Sequence, residues 1–358
     1  MGKKKWISSI SALTMAALLF TGCGSSGGNT AAPGNNAGSG DAAPAKSQSK
    51  LTVYIGFQED HAVAAIKKFT EDTGIEANMI RMSAGEILAK VRAEKDNPQA
   101  DVWYGGPADT FVQATSEGLL QPYKSPVAEK IDAKYKDPDG NWTGVYVGAV
   151  GFASNKEFLA KKGLEAPKKW EDLLNPAFKG EVVMADPASS GTAYTAMYTV
   201  LKVMGSEEKG FEYLNKLHPQ VQQYTTSGAA PGRMVGMGEA GVGILFAHDI
   251  IKYQEEGFDS LEMTIPEDGT GYETGSIGII KNTKNEELAQ KFVDWALSPA
   301  GQELGKTVGS FQNLTNPDAV GPEQAVNLSE INTIDYDVVE AGKERQRLID
   351  KWSAEVKK

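Results

Sequence analysis

The chain has 358 residues, 41% of them hydrophobic, with 47 acidic side chains against 36 basic ones and a net charge of −11. A single cysteine excludes any disulfide framework within the chain. The acidic balance, with no basic stripe to offset it, argues against nucleic acid as a partner.

The chain opens with Lys3, Lys4 and Lys5, then an apolar stretch from Ile7 to Phe20, then Thr21-Gly22-Cys23. A short positive run, an apolar segment too short to span a bilayer and a small-residue cleavage site predict a secretory signal over residues 1–22. The one cysteine stands directly after that site in the arrangement of a bacterial lipobox, although Phe20 occupies a position where leucine is usual. Cys23 is therefore predicted to carry the lipid, and two or more acyl chains there would hold the protein at the outer face of the cytoplasmic membrane. Residues 23–50 are nearly all small or polar and cannot bury enough apolar surface to offset their ordering entropy, which predicts a flexible tether. Removing the three signal lysines leaves 33 basic against 47 acidic residues, a net −14.

Beyond residue 50, 308 residues remain, more than one ordinary core accommodates, and no later run reaches the apolar length of a membrane span. Leu51–Ile55 reads as a strand and Ala62–Thr73 as a helix, with Val63, Ile66 and Phe69 on its apolar face and Gly74 as its stop. Ile75–Arg81 is a second strand; Ser83 and Glu86 form a capping box ahead of a helix from Ile87 to Lys95. Asp101–Tyr104 is a third strand ending in Gly105-Gly106-Pro107. Val145–Ser154 is a long apolar strand able to cross between lobes. Glu181–Ala185 is a strand followed by a Ser- and Gly-rich loop, Asp186 to Thr192, that opens a helix. Gly243–Ala247 is a strand ending at His248-Asp249, Gly275–Ile280 crosses back, and Asn285–Trp295 is an amphipathic helix. The alternation predicts an α/β fold of two lobes with a hinge and an interlobe cleft.

Two sets of residues invite other readings. Gly236-Met237-Gly238-Glu239-Ala240-Gly241 fits G-x-G-x-x-G, but a dinucleotide site needs a strand before it and a helix after it, and here the predicted order is reversed. Beyond the small-residue tether no G-x-S-x-G, H-E-x-x-H or Walker A sequence is present, so no enzyme, and no cofactor, is predicted. His248, Asp249 and Ser189 are no triad if His and Asp leave a strand on opposite faces.

Taken together, several segments resemble the type 2 periplasmic-binding fold of ABC importers. They are Leu51–Tyr54, Gln99–Gly106, Trp170–Pro176, Lys179–Val182, Ala188–Thr192 and Phe292–Gln302. The resemblance spans residues 51–315 and points to the cluster often labelled ferric iron-binding, which also holds hexose-phosphate and aminoethylphosphonate binders. It implies lobe 1 over 51–147, lobe 2 over 148–276, and a return to lobe 1 with C-terminal helices over 277–358. The implied role is solute capture by a monomer that hands its ligand to an ABC permease. The distant rival is a lipoprotein with a purely interactive role.

Ligand chemistry narrows the choice. Iron sites in this family resemble an adjacent tyrosine pair with a carboxylate, donors that suit Fe(III), and this chain has no Tyr-Tyr pair. Ser189, Ser190, Gly191 and Thr192 at a helix start predict a phosphate site, held by backbone N–H groups and hydroxyls without a lysine or arginine; a plain helix cap is the simpler alternative. Ser83 and Gly85 make a similar helix start on the other lobe. His248, Asp249 and, 24 residues later, Glu273 resemble the hexose-phosphate binders, their carboxylates suited to sugar hydroxyls. A structural histidine and a hinge salt bridge are the respective alternatives. Tyr104 either lines the cleft or belongs to the lobe 1 core. These residues predict a small phosphorylated solute, with a sugar phosphate ahead of 2-aminoethylphosphonate and ferric iron.

Overall fold

The computed structural model describes residues 50–357; the predicted signal, Cys23 and the tether up to residue 49 lie outside the described residues. In chain order the first elements are β1 (Leu51–Ile55), α1 (Glu59–Thr73), β2 (Ala77–Arg81), α2 (Ala84–Ala93), β3 (Val102–Pro107), α3 (Ala108–Ser116) and β4 (Leu120–Gln121). There follow β5 (Thr143–Asn155), α4 (Lys156–Lys162), β6 (Val182–Ala185), α5 (Gly191–Val203), α6 (Glu207–Leu217), β7 (Val221–Thr225) and α7 (Ala230–Gly236). β8 (Val242–Phe246), α8 (Ala247–Glu255) and β9 (Leu261–Thr264) complete the middle of the chain. The last elements are β10 (Tyr272–Ile280), α9 (Glu286–Leu297), α10 (Pro299–Glu303), β11 (Asn313–Leu314) and α11 (Val338–Glu355).

The sheet runs β2-β1-β3-β10-β5-β8-β6-β7, with β4 paired to β10, and β9 and β11 paired to β5, off this path. One strand belongs to both lobes. Thr143–Ala149 of β5 pair with β10, whereas Val150–Ser154 pair with β8. The long apolar run predicted to cross does so. The return passes at Gly271, whose carbonyl accepts the Val150 N–H at 2.9 Å, and β10 then lies between β3 and β5 in the lobe 1 sheet.

Both halves of the sheet are covered by helices on both faces, and strand alternation decides which core each side chain enters. Leu51, Val53 and Ile55 of β1 face the core under α1 and α9, while Tyr54 faces the one under α2 and α3. In lobe 2, Val242, Ile244 and Phe246 of β8 enter the core built with α5 and α6, and Leu245 enters the one under α7 and α8. α1 begins earlier than predicted and buries His61, Ala62, Ala65 and Phe69. Val63 is half exposed rather than apolar-face, because the burial stripe is one residue out of phase with the predicted one. Gly236–Gly241 runs from the end of α7 into β8, helix to strand, the opposite of a dinucleotide site.

The C-terminal helix α11 touches both lobes. Leu348, Ile349 and Trp352 complete the lobe 2 core, and the Tyr194 hydroxyl donates to the Ala341 carbonyl at 2.5 Å. Gly342 lets the same helix press on α3 of lobe 1: a Cβ there would sit 2.4 Å from that of Val112.

Candidate functional site

A cavity with about 600 Å³ of space between protein atoms, part of it open to solvent, lies where the two lobes meet. The starts of α1, α2, α5 and α8 line it, through Gln58, Ser83 and Ala84, Ser190 to Thr192, and His248 with Asp249. The lobes are closed on one another around it. The Gly85 N–H donates to the Ser189 carbonyl at 3.0 Å, and the Ser83 hydroxyl to the Thr226 carbonyl at 3.1 Å. Gln58 donates its amide to the Asp249 carboxylate, and Lys252 bridges from α8 to Asp60 of α1.

One side of the cavity is built on glycines. Gly148 in β5 stands opposite Glu273 in β10. Having no side chain, it leaves the space in which the His248 ring lies; a Cβ there would be 2.4 Å from Nδ1. Gly275 does the same for Tyr146, whose phenol crosses it into the lining. His248 Nε2 comes within 3.7 Å of Glu273 Oε1 and 3.9 Å of Asp249 Oδ1. His248 Nδ1 is buried without a partner among the described residues. A bare lone pair there costs less than a bare N–H, so the neutral ring carries its proton on Nε2, facing the carboxylates. Burial lowers the His248 pKa, the Asp249 charge opposing it only in part. Burial raises the Glu273 carboxyl well above the usual range, and Asp249 adds to the shift. This side therefore offers a buried imidazole and two carboxyl groups, one of them steadied by Gln58, a set suited to hydroxyl groups.

The other side favours negative charge. The first N–H groups of α5, at Gly191 and Thr192, have no intrahelical acceptor, and no carboxylate stands in the first turn of that helix. α1, α2 and α8 each carry an acidic residue in the first turn. Ser190 caps α5 through its hydroxyl, accepting the Ala193 N–H at 3.4 Å, and Gly228 lies over both hydroxyls: a Cβ there would be 2.1 Å from Thr192 Oγ1. Arg81 and Lys252, two cations that the sequence reading did not include, also line the cavity.

Of the residues predicted from sequence, Ser83, Ser190, Gly191, Thr192, His248, Asp249 and Glu273 line this one cavity. Three others stand behind it. Gly85 and Ser189 face each other across the interlobe contact, and Tyr104 is buried in the lobe 1 core, its ring 4.7 Å from that of Phe57. His248 and Asp249 do not end a strand. They occupy the first turn of α8, so both enter the cavity, and the opposite-face argument made for a strand does not apply. The Ser83–Glu86 capping box is present, the Glu86 carboxylate accepting the Ser83 N–H at 2.9 Å, and the Ser83 hydroxyl also donates to the Thr226 carbonyl of lobe 2. Sequence reasoning missed Gln58, Arg81, Tyr146, Lys252 and Ser310. The His61 side chain is buried, bonded to Ser310 at 2.9 Å and stacked on Phe57 at 3.9 Å. Burial lowers its pKa to about 4.

The sequence matches the family of bacterial extracellular solute-binding proteins over residues 97–329. The chain belongs to that family. An uncharacterized protein of Haemophilus influenzae is 43% identical over 321 residues, covering 87% of this chain and 92% of the other. Among solved structures, the periplasmic binding protein AfuA from Actinobacillus pleuropneumoniae, with exogenous fructose-6-phosphate bound, is 44% identical. That similarity covers 86% of this chain and 98% of AfuA, with a TM-score of 0.83. The periplasmic binding protein P5PA is 39% identical, covering 86% and 99% of the two chains, with a TM-score of 0.83. This solute-binding protein thus has the two-lobed architecture expected of it and serves ABC import, in a class that binds a small solute and a permease.

Proposed function

We propose that this solute-binding protein captures a sugar phosphate, such as a hexose phosphate, and that it does so tethered to the membrane by lipid on Cys23. The phosphate sits at Ser190–Thr192 and the hydroxyls at His248, Asp249 and Glu273. One observation carries the reading: a single interlobe cavity has two chemically different sides. At one, α5 begins without a carboxylate; at the other, Asp249 and Glu273 lie on either side of His248 Nε2. A bare phosphate would leave the carboxylate side unserved and repelled, whereas a polyhydroxylated solute with one anionic group serves both. AfuA, with fructose-6-phosphate bound, supports the reading at 44% identity.

2-Aminoethylphosphonate is the second reading, because its ammonium would pair with Asp249. Iron is disfavoured by donor chemistry, since Tyr146 is the one tyrosine in the lining. Capture works by population shift. The solute bridges groups on both lobes, so it stabilises the closed form that the permease receives. Calorimetric titration of the chain from Lys50 onward, refolded free of carried-over ligand, tests the assignment. Tight binding of glucose 6-phosphate or fructose 6-phosphate, with none of free glucose, is expected. Binding of 2-aminoethylphosphonate or ferric citrate alone would overturn the sugar-phosphate reading and leave the transport role in place.

A further inference from the structure

Two cations line the cavity, and their circumstances differ. Lys252 has three N–H groups and three acceptors: the Asp60 carboxylate, Glu256 at 2.7 Å and the Val308 carbonyl at 3.1 Å. Nothing remains for a solute. Its charge is already matched by two carboxylates, and it holds α8 against α1. Arg81 ends β2, three residues before the start of α2. Its Nε donates to the Phe57 carbonyl at 3.0 Å, which fixes the plane of the guanidinium at the cavity wall. Among the described residues no carboxylate pairs with Arg81, and its terminal nitrogens have no acceptor. The planar fork is thus held at one edge, with its four remaining N–H groups uncommitted.

We infer that Arg81 is the residue that reads the anionic group of the solute, reaching it from lobe 1 while the Ser190–Thr192 helix start meets it from lobe 2. The inference rests on the proposed phosphorylated solute and adds the cation that the sequence-based site lacked. A guanidinium oriented in this way gives two parallel N–H···O bonds to non-bridging phosphate oxygens, a geometry that an ammonium does not reproduce. The N–H groups of Gly191 and Thr192 take a third oxygen. An anion held from both lobes favours closure, so the phosphate both identifies the solute and draws the lobes together. A neutral sugar would engage only the carboxylate side and leave the guanidinium without an anionic partner.

The test compares wild-type protein with Arg81→Gln and Arg81→Lys by titration with fructose 6-phosphate, inorganic phosphate and free fructose. Ligand-free thermal unfolding and small-angle scattering are measured alongside. The glutamine variant is expected to bind fructose 6-phosphate about 100-fold more weakly and the lysine variant about tenfold more weakly, the loss of a charged and then of a bidentate bond. Both should keep the wild-type unfolding midpoint, because Arg81 is half-exposed and pairs only with a carbonyl. Wild-type-like affinity in the glutamine variant overturns the assignment of Arg81. If that variant fails to fold, unchanged affinity in the lysine variant overturns it equally. Wild-type protein that ignores fructose 6-phosphate refutes the sugar-phosphate reading instead, and the same three proteins titrated with 2-aminoethylphosphonate then decide Arg81 separately.

Discussion

Gly85 offers a perturbation confined to closure. It lies in the first turn of α2 on lobe 1, where alanine is at least as good a helix former as glycine, so the fold of that lobe is not weakened. In the closed protein a Cβ at this position would sit 2.3 Å from the Ala188 carbonyl oxygen and 2.7 Å from that of Ser189, both on lobe 2. Backbone atoms cannot step aside as a flexible side chain can, so Gly85→Ala must hold the lobes apart by a good fraction of an ångström. That displacement breaks the 3.0 Å bond from the Gly85 N–H to the Ser189 carbonyl, worth about 1 kcal/mol. Overpacking adds about 1–3 kcal/mol. The sum of about 2–4 kcal/mol falls on the closed state alone and predicts solute affinity about 30- to 1,000-fold weaker. Calorimetry with fructose 6-phosphate gives the affinity, small-angle scattering the degree of closure with saturating solute, and thermal unfolding without solute the control. A variant that binds and closes like wild type would refute the reasoning, because the interlobe contact would then not be part of the bound state.

Other expectations follow from the same geometry. His248→Ala and Glu273→Ala should each weaken solute binding more than about tenfold while leaving the fold intact; near-wild-type affinity in both would remove the hydroxyl subsite. Glu273 binds its proton more tightly when folded than at the ordinary value of 4.5. Its contribution to stability is therefore full below 4.5 and is lost as pH rises through the raised value. Glu273→Gln, which cannot ionise, should erase that decline, so the ligand-free unfolding midpoints of the two proteins should diverge between acid and alkaline pH. Parallel profiles would show that the carboxyl ionises normally. Lys252→Met keeps an apolar stem in a buried position but cuts the link to Asp60. Since Asp60 and Glu256 are both well exposed and can return to water, the loss should appear as about tenfold weaker binding and incomplete closure in scattering rather than as unfolding.

Much of this was legible where the cause is local. β1 and the crossing strand β5 announce themselves as apolar runs between polar turns, and the start of α5 follows from Ser190 as a capping residue. The start of α8 does not, because Phe246 precedes it and supplies no capping hydrogen bond. The apolar run of β8 therefore reads straight on to Ala247. That one-residue overrun had two effects. It put His248 and Asp249 on a strand, and it hid Lys252, which lies one helical turn beyond His248 on the same face. Glu273 was found through spacing shared with a family, whereas its meeting with His248 depends on register between β5 and β10, which sequence does not print. Gly148 and Gly275 carried no signal for the same reason: what each makes room for is a ring from a distant part of the chain. Gly85 was read as a ligand contact because the helix start it belongs to is local, while the lobe 2 carbonyls that crowd it are not.

The position of β10 also bears on how the protein comes into being. Its partners β3 and β5 are both made before lobe 2, yet they become neighbours only when Tyr272–Ile280 slides between them. Until then the first lobe holds a three-strand fragment with an open edge at β3 and a crossing strand with nothing to lean on. Its sheet is completed by pairings between distant stretches of chain, such as Ile277 with Tyr104 and Thr143, which form slowly because the loop must close first. A growing chain thus completes the sheet of its first lobe only after lobe 2 has been synthesised.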